Sequence, residues 1–473
     1  MLTSFNSFIL KVMRFLFLKN SDVTYPIIIK RSDHTLSRKN ISPNAIKVLY
    51  RLKNAGFKGF LVGGCIRDHL INLSPKDFDV VTDATPEEVH KLFSNSRLIG
   101  RRFRLVHVTF GREIIEVSTF RANSENNTNN EVSHSEHGMI LRDNSFGNIE
   151  QDAERRDFTF NTLYYNIEDF SIHDYCGGLE DIKNKQVRII GDPETRYKED
   201  PVRMLRAIRF AAKLQFELEA NTKGPIKNLS HLLDHIPPAR LFEEVLKLLG
   251  SGYGVQTYQL LRQYGLFRYL FPETDALISS NWNTENIIPE AFILQGLKNT
   301  DQRIAEGKST APYFLYALML WPKVLFRHEE FMAQGLPATP ALHQAASLVI
   351  DNQLAATAIP RRISTPMREI WDLQLRLPKR FGKRAYLLEQ HPRFRAAFDF
   401  ILVRESSGSN TGNLGSWWQA FQEGSDKQRR ELINSVDKFP VDRHSGPKRR
   451  PKRKRYNKNT KASPQSQTGN DNA

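Results

Sequence analysis

Apolar residues recur along this chain with the period of a β-strand or the longer period of an α-helix, and the mixture of the two differs between its first part and the rest. In the first part short helical and strand patterns alternate. Apolar residues at helical spacing begin after Ser42 and stop at Gly56, with Pro43 suited to a first helical turn, so we predict a helix there. The apolar run from Phe60 to Val62 then predicts a strand.

The same alternation continues to about residue 120. Thr85 and Glu88 have the spacing of a capping box, which predicts a helix over residues 86–94. Alternating residues over 98–110 predict a strand, and a glycine turn leads into a second strand over 113–120.

Helical patterns dominate the rest of the chain. We predict single helices over 151–165 and 200–214, with short strands at 171–178 and 187–191 between them. Beyond residue 220 the pattern is helical, with segments at 255–270, 313–327, 340–357 and 364–376, and a mixed basic and apolar unit over 383–404 against which Trp417 and Trp418 are expected to pack. The predicted class is α+β, with a small mixed-sheet head followed by an all-α neck, body and tail and a disordered basic C-terminus. The predicted boundaries are an N-terminal extension or arm over 1–41, a head over 42–180, a neck over 181–270, a body over 271–440 and a tail over 441–473.

The composition of the chain indicates a polyanionic binding partner. The chain has 473 residues, a formal charge of +16 and a pI near 9.7. Residues 443–461 alone contain ten lysines or arginines and no acid. Such a run is expected to be disordered and to bind a phosphate backbone, with anionic lipid as the alternative.

Other features exclude some classes of protein. Two cysteines, Cys65 and Cys176, do not form a disulfide framework or a zinc spacing, and we predict that both are small buried side chains. Lys11 and Arg14 interrupt the apolar N-terminus, so we predict neither a transmembrane helix nor a secretory signal there. A weakly ordered extension is the preferred interpretation, and an amphipathic membrane-surface helix is the alternative. The polar stretch over 122–137 is predicted to be a mobile insertion.

The candidate chemistry lies in Leu61 to Val81. The pair Gly63-Gly64 is followed by Asp77 and Asp79, which project from one face if residues 78–81 form a strand. Two carboxylates on one face suit Mg²⁺ and phosphate oxygens, although a D-x-D is also common in surface turns. Glu116 on the later strand is a candidate third carboxylate, or an ordinary surface glutamate.

Two basic clusters follow. Arg155 and Arg156 could pair bidentately with phosphate or form a solvated helix face. Asp200 is a good N-cap, and together with Arg203 it could face a base edge. Arg203, Arg206 and Arg209 recur every three residues and are predicted to form one basic ridge.

These segments together resemble the class II nucleotidyltransferases of the polymerase-β superfamily, which comprise bacterial poly(A) polymerases and CCA-adding tRNA nucleotidyltransferases. The resemblance covers about residues 42–270. Four segments carry it: LVGGCIRD (61–68), KDFDVV (76–81), ERRDFTFNTLYY (154–165) and YKEDPVRMLRAIRFAAKL (197–214). The stretches LIGRRFRLVHVTF (98–110), EIIEVSTFR (113–121) and IPPARLFEEVLKLL (236–249), with the basic tail, resemble the poly(A) polymerase branch.

The resemblance implies roles for individual residues. It makes Asp77 and Asp79 the ligands of two Mg²⁺ ions, with Asp157 as the essential third acid and Glu116 as a competing candidate. It implies that ATP or its triphosphate is held by the residues Gly63, Gly64, Arg67, Asp68, Arg155, Arg156, Asp200, Arg203 and Arg206, with Arg67 and Asp68 bracing the glycine turn.

The function implied is template-independent addition of AMP from ATP to RNA 3′-hydroxyl ends with release of pyrophosphate, which promotes RNA decay in the cytoplasm. The neck is then expected to bind nucleotide and RNA, and the body and basic tail to bind RNA. RNA-decay proteins are candidate partners, and membrane contact is not predicted. A CCA-adding tRNA enzyme is the alternative, followed by a non-catalytic RNA-binding protein, which the intact Asp77 and Asp79 disfavour.

Overall fold

The computed structural model describes residues 26–100, 104–122, 132–134, 140–143, 145–285 and 287–436. The predictions for residues 1–25, for most of the polar insertion and for the basic tail lie outside these ranges. The strands are β1 (Ile27–Ile29), β2 (Gly59–Val62), β3 (Asp79–Thr82), β4 (Ser96–Ile99), β5 (Leu105–Phe110), β6 (Glu113–Thr119), β7 (Val132–His134), β8 (Ile140–Asp143), β9 (Leu163–Asn166), β10 (Ile172–Asp174), β11 (Gln186–Val187) and β12 (Glu217–Leu218).

Helices make up most of the remainder. They are α1 (Pro43–Asn54), α2 (Gly64–Leu70), α3 (Pro86–Leu92), α4 (Ile149–Glu154), α5 (Gly178–Lys183), α6 (Pro193–Glu199), α7 (Val202–Leu214), α8 (Ala220–Lys223), α9 (Ile226–Leu229), α10 (Pro238–Leu249), α11 (Gly254–Gln263), α12 (Phe267–Leu270), α13 (Pro272–Ser279), α14 (Pro289–Ala305), α15 (Pro312–Ala333), α16 (Ala338–Gln353), α17 (Arg361–Arg376), α18 (Lys383–Glu389), α19 (Phe394–Ser406), α20 (Leu414–Glu423) and α21 (Asp426–Asn434).

An eight-stranded mixed sheet forms the head. Its strand order is β1-β10-β9-β2-β3-β6-β5-β4, and β3 and β6 are its parallel pair. The predicted capping signals are confirmed: Ser42 accepts hydrogen bonds from two amides at the start of α1, and Thr85 and Glu88 form the capping box of α3. The predicted α+β class, with a mixed-sheet head and a helical remainder, is confirmed.

Two local predictions were wrong. Residues 151–165 do not form one helix, because α4 ends at Glu154 and Leu163–Asn166 is a central strand paired with β2 and β10. A strand buried on both faces and a buried helix have similar apolar runs, so periodicity did not separate them. Residues 98–110 form parts of two antiparallel strands, β4 and β5, with Gly100 at a positive φ between them. Within the predicted N-terminal arm, β1 pairs with β10 at the edge of the sheet.

Buried side chains form a core in the head and a larger one in the helical part. The larger core runs without a break from Phe158 to Val403, through Leu270 and Phe271 on either side of the predicted neck–body boundary. A smaller cluster surrounds Trp418, which packs 5.0 Å from the Phe394 ring, as predicted for the Trp pair. The domain boundaries themselves stay a prediction. Among the described residues, no helix is both long and apolar enough to cross a membrane.

Candidate active site

The glycine pair lies at the turn between β2 and α2. Gly63 has φ 78° and ψ −130°, a conformation that strongly favours glycine, and its N–H donates to the carbonyl oxygen of Leu163 on β9. Gly64 has a negative φ, and an added Cβ would meet nothing closer than Nη2 of Arg67, at 3.4 Å. Gly63 is therefore required by the fold, whereas the protein itself leaves room for a side chain at Gly64.

The carboxylates of Asp79 and Glu116 lie on one row of register partners that crosses three strands of the sheet. Asp79 is the first residue of β3, and its register partner on β6 is Glu116. Register partners on adjacent strands point to the same face. Glu116 is in turn the register partner of His107 on β5, and its Oε1 lies 3.3 Å from Nε2 of that histidine. The structure thus makes Glu116 the immediate neighbour of Asp79.

The charge balance around Asp79 favours a cation. Its side chain is accessible, yet desolvation by the surrounding protein raises its pKa, and the negative charge of Glu116 raises it further. Arg156 opposes the rise and Asp77 adds to it, which leaves the pKa at about 6. Carboxylates that repel one another in this way are stabilised by a bound divalent cation.

The side chains fit Mg²⁺ in the manner typical of nucleotide enzymes. Within the described ranges, no group of three or more histidine, cysteine, aspartate or glutamate side chains is already gathered into a metal-binding cluster. Mg²⁺ is commonly held by one or two carboxylates together with substrate phosphates and water, so a site with Asp77 and Asp79 as candidate ligands would fit this ion. Cys65 adds no ligand at neutral pH, because burial, followed by the charge of Asp79, raises the pKa of its thiol to about 12.

Arg155 and Arg156 lie in the turn after α4 and are held by one buried acid. The carboxylate of Asp152 accepts from Arg155 at 2.9 Å and from Nε of Arg156 at 3.0 Å. The hydroxyl of Tyr164 donates to the same carboxylate and accepts from Arg156. Asp152 thus fixes two guanidinium groups whose side chains each remain 21% exposed, and the charge of Arg156 lowers the pKa of Asp79.

Asp157 has its oxygens occupied by protein donors. Oδ2 accepts from Nε of Arg206 at 2.7 Å, and Oδ1 accepts from the Asn161 amide at 3.0 Å and from the Phe158 N–H at 2.9 Å. Burial alone would raise its pKa, but the Arg206 guanidinium and these hydrogen bonds lower the pKa to about 2. The carboxylate therefore joins the turn after α4 to helix α7.

Arg67 and Asp68 are buried between the glycine turn and the neck. Arg67 donates to Asp68 and to the Asn161 side chain, and its guanidinium carbon lies 5.0 Å from the Phe210 ring centroid. Asp68 also accepts from Lys213 of α7 at 3.1 Å. This placement fits the bracing role predicted for the pair and leaves nucleotide contact by either side chain as a prediction.

Asp200 and Arg203 have separate ion-pair partners. Oδ2 of Asp200 accepts from Arg240 of α10 at 2.7 Å, and its Oδ1 accepts from the Val202 N–H, although the N-cap position of α7 is Pro201 and not Asp200. Nη1 of Arg203 donates to Glu199 at 2.6 Å. The arginines of α7 do not form one free ridge, because Arg203 and Arg206 point to different carboxylates.

Arg196 connects these groups. Its Nη2 donates to the carbonyl oxygens of Arg155 and Arg156, both at 2.6 Å, and its Nη1 donates to Glu199 at 2.9 Å. Glu199 thus lies between Arg196 and Arg203. The buried Arg196 side chain holds the turn with the two arginines against the end of α6.

Sequence reasoning missed the supporting residues Asp152, Asn161, Arg196, Glu199, Lys213 and Arg240. Two of them left a signal, because Asp152 is three and four residues before the two arginines and Glu199 is four before Arg203, spacings at which opposite charges meet on a helix. The contacts of Arg196 to backbone carbonyls and of Arg240 to Asp200 join segments about 40 residues apart and have no such local signal.

The chain matches known sequences along most of its length. Residues 59–188 match the family described as "Poly A polymerase head domain", residues 215–278 match "Probable RNA and SrmB- binding site of polymerase A", and residues 334–457 match "Polymerase A arginine-rich C-terminus". Poly(A) polymerase I of Salmonella typhi is 49% identical over 434 residues, which cover 90% of this chain and 93% of that protein.

Relatives of the alternative class are more distant. The CCA-adding enzyme of Lactobacillus helveticus is 38% identical over 216 residues, which cover 46% of this chain and 52% of that protein. Among solved structures, the Bacillus stearothermophilus CCA-adding enzyme in complex with CTP matches with a TM-score of 0.51 and 25% identity over 82% of each chain. The nucleotidyltransferase fold is therefore shared with both classes, whereas similarity along nearly the whole sequence is to the first.

Proposed function

Because the chain belongs to the poly(A) polymerase family, we propose that it adds AMP from ATP to RNA 3′-hydroxyl ends without a template. The 3′ oxygen forms a bond to the α-phosphorus of ATP, the bond between the α-phosphorus and the bridging oxygen breaks, and pyrophosphate leaves. The observation that carries this proposal is similarity to poly(A) polymerase I over nine-tenths of the chain.

The geometry supports a division of labour within the head. Asp77 and Asp79 are the proposed ligands of two Mg²⁺ ions, with Glu116 as their neighbour on β6. Bound Mg²⁺ supplies activation of the RNA hydroxyl and neutralisation of the pyrophosphate charge. The open position at Gly64 allows phosphate oxygens to approach the amides at the start of α2.

The arginines are proposed to hold and orient the nucleotide. Arg155 and Arg156, fixed by Asp152, present guanidinium groups to the triphosphate. The carboxylate of Asp157 is proposed to fix Arg206 near the nucleotide. Asp200 and Arg203 are proposed to face the adenine, each held by its own partner, so that the protein takes the place of a template. Arg67 and Asp68 keep the glycine turn in place against α7.

The proposed setting is the cytoplasm, with RNA-decay proteins as candidate partners. Both cysteines are free, as is usual in a reducing compartment. The net charge of +16 favours an RNA partner.

One assay distinguishes this function from its alternatives. The protein is incubated with Mg²⁺ and either an unstructured RNA or a tRNA lacking its CCA end, with ATP or CTP supplied separately. We expect long extension of both RNAs with ATP, and its loss in Asp79→Ala. CTP incorporation confined to the tRNA would instead support a CCA-adding enzyme, and no incorporation at all would support a non-catalytic RNA-binding protein.

A further inference from the structure

The segment that joins α17 to α18 is strongly basic. Residues 376–384, called here the basic turn, contain five lysines or arginines and no acid. This density resembles that of the C-terminal segment 443–461, and the basic turn lies among the residues that the structure describes. It is far in sequence from the residues assigned to the nucleotide.

The basic turn is anchored on a pair of tryptophans. The buried Leu377 accepts a hydrogen bond on its carbonyl oxygen from the indole N–H of Trp418, at 3.2 Å. The guanidinium carbon of Arg380 lies 5.1 Å from the ring centroid of Trp417. These contacts hold the backbone of the turn, so its charged side chains are presented from a fixed position.

Three of its cations are exposed and have no ion-pair partner among the described residues: Lys379, Lys383 and Arg384. Most nearby arginines are neutralised; for example, Arg393 pairs with Glu369 and Arg429 with Glu389. The three side chains therefore keep their full charge for an external partner.

An aromatic side chain beside these cations indicates the class of molecule that the surface binds. Arg384 lies 4.6 Å over the ring of Phe381, which is partly exposed, so a cation and an aromatic face occur together. Cations beside an aromatic ring are typical of surfaces that bind single-stranded nucleic acid, where the cations contact phosphates and the ring contacts a base.

The surface also lies on the unit from which the C-terminal basic segment departs. Trp417, which contacts Arg380, donates its indole N–H to the carbonyl oxygen of Leu432 in α21 at 3.3 Å. The described chain ends two residues after that helix's last turn, at Val436, and the first of the ten cations of 443–461 follows seven residues later.

We propose that Lys379, Lys383 and Arg384 form a docking surface for the phosphodiester backbone of RNA, upstream of the 3′ end that is extended. The inference rests on the proposed function, because it assigns this surface to the same RNA. It contacts nucleotides that a very short primer lacks. Binding here is independent of sequence and weakens with salt, because each phosphate contact releases a counterion.

The test compares three versions of the full chain. The first carries K379Q, K383Q and R384Q; the second carries K379R, K383R and R384K, which keep the charge; the third is a matched control, K39Q, K91Q and K298Q, which removes three exposed lysines elsewhere. Affinity for a 30-nucleotide unstructured RNA is measured as a function of salt, and extension with ATP is measured on that RNA and on a six-nucleotide primer.

We expect the glutamine variant to bind the long RNA more weakly and with a salt slope shallower by about 2, since each contact to a single strand contributes roughly 0.7 to the slope. Its extension of the long RNA should fall much more than that of the short primer. The charge-keeping variant and the control should match the unmodified protein on both substrates.

The docking surface would be overturned if the salt slope of RNA binding were unchanged in the glutamine variant, or if the control lost as much RNA affinity as that variant. Extension by the unmodified protein would still uphold the proposed function in that case. Absence of extension in every version, the unmodified protein included, would instead refute the proposed function. Unchanged affinity of the glutamine variant for the 30-nucleotide RNA would likewise overturn the docking surface. Circular dichroism and thermal unfolding of all versions exclude a folding defect as the cause.

Discussion

The side chain of Arg196 lies 2.6 Å from the carbonyl oxygen of Arg156 and thereby ties the proposed triphosphate-binding turn to helix α6. The same guanidinium donates to Glu199, which holds Arg203. Burial, with the charge of Arg203, lowers the pKa of Arg196 to about 10, so the group stays charged at neutral pH. One cation therefore positions residues proposed to contact both ends of the nucleotide.

Replacement of Arg196 should impair use of ATP. In Arg196→Ala the turn loses two charge-assisted hydrogen bonds and Glu199 loses a partner, so we expect kcat/KM for ATP to fall by about tenfold or more, equivalent to about 1.4 kcal/mol of transition-state stabilisation. Steady-state kinetics at saturating RNA would measure this, together with the preference for ATP over CTP. Arg196→Lys should recover part of the loss.

Lys198 provides the control on the same helix. Its ion pair with Glu194 is exposed on both sides, and such pairs contribute little. Lys198→Ala should leave kcat/KM for ATP and the preference for ATP over CTP unchanged. If Arg196→Ala lowered only thermal stability and left kcat/KM and base preference intact, Arg196 would have no positioning role.

Glu116 and Asp157 should differ in their effect on Mg²⁺. Because Glu116 is the register neighbour of Asp79, we expect Glu116→Gln to raise the Mg²⁺ concentration needed for half-maximal activity by several-fold. Asp157→Asn should weaken ATP use without that shift, because its oxygens already accept from Arg206 and Asn161. Activity is titrated with Mg²⁺ in each variant at saturating ATP.

Glu113, at the start of the same strand, serves as the control for Glu116. It pairs with Ser42 and Asn44 rather than with the carboxylate row, so Glu113→Gln should not alter the Mg²⁺ requirement. A larger Mg²⁺ shift in Asp157→Asn than in Glu116→Gln would favour Asp157 as the third acid of the metal site.

Arg240 should influence the choice of base. It donates to Oδ2 of Asp200 at 2.7 Å, so its removal takes away one of the contacts that orient a carboxylate proposed to face the adenine. We expect Arg240→Ala to reduce the ratio of ATP to CTP incorporation by about tenfold, the effect of losing about 1.4 kcal/mol of discrimination. The ratio is measured from kcat/KM for each nucleotide on the same RNA. As a control, Lys247→Ala removes an exposed side chain on the same helix and should leave the ratio of ATP to CTP incorporation unchanged. If Arg240→Ala also left this ratio unchanged, Arg240 would not influence base choice by orienting Asp200.

The Asp157–Arg206 pair should make stability depend on acid pH. The pKa of Asp157 falls from 3.8 to about 2 on folding, so its contribution is complete above pH 3.8 and is lost as the pH falls toward 2. The difference corresponds to about 2 kcal/mol of unfolding free energy. Urea unfolding of the parent and of Asp157→Asn at several pH values should show a stability gap at pH 6 that narrows below pH 3.8. The exposed Asp351→Asn should show no such narrowing, and a constant gap in Asp157→Asn would contradict the assigned pKa.

Local patterns were sufficient for much of the fold. Residues next to one another in sequence determine the caps of α1 and α3 and the glycine turn before α2, because capping and positive φ depend on neighbouring backbone atoms. The D-x-D spacing predicted two carboxylates projecting together from one strand, whereas Asp79 is the first residue of β3 and Asp77 lies two residues before it.

Only tertiary structure decided how those groups are supported. Strand pairing set Glu116 beside Asp79, because register across a parallel pair depends on the whole sheet and not on either strand. It also made residues 163–166 a central strand where periodicity predicted helix. Packing of α7 against the turn after α4 brought Arg206 to Asp157, and packing of α10 near the start of α7 brought Arg240 to Asp200. These pairs join segments about 40 to 50 residues apart in the sequence. The pattern of residues along a chain does not show which segments that far apart come into contact.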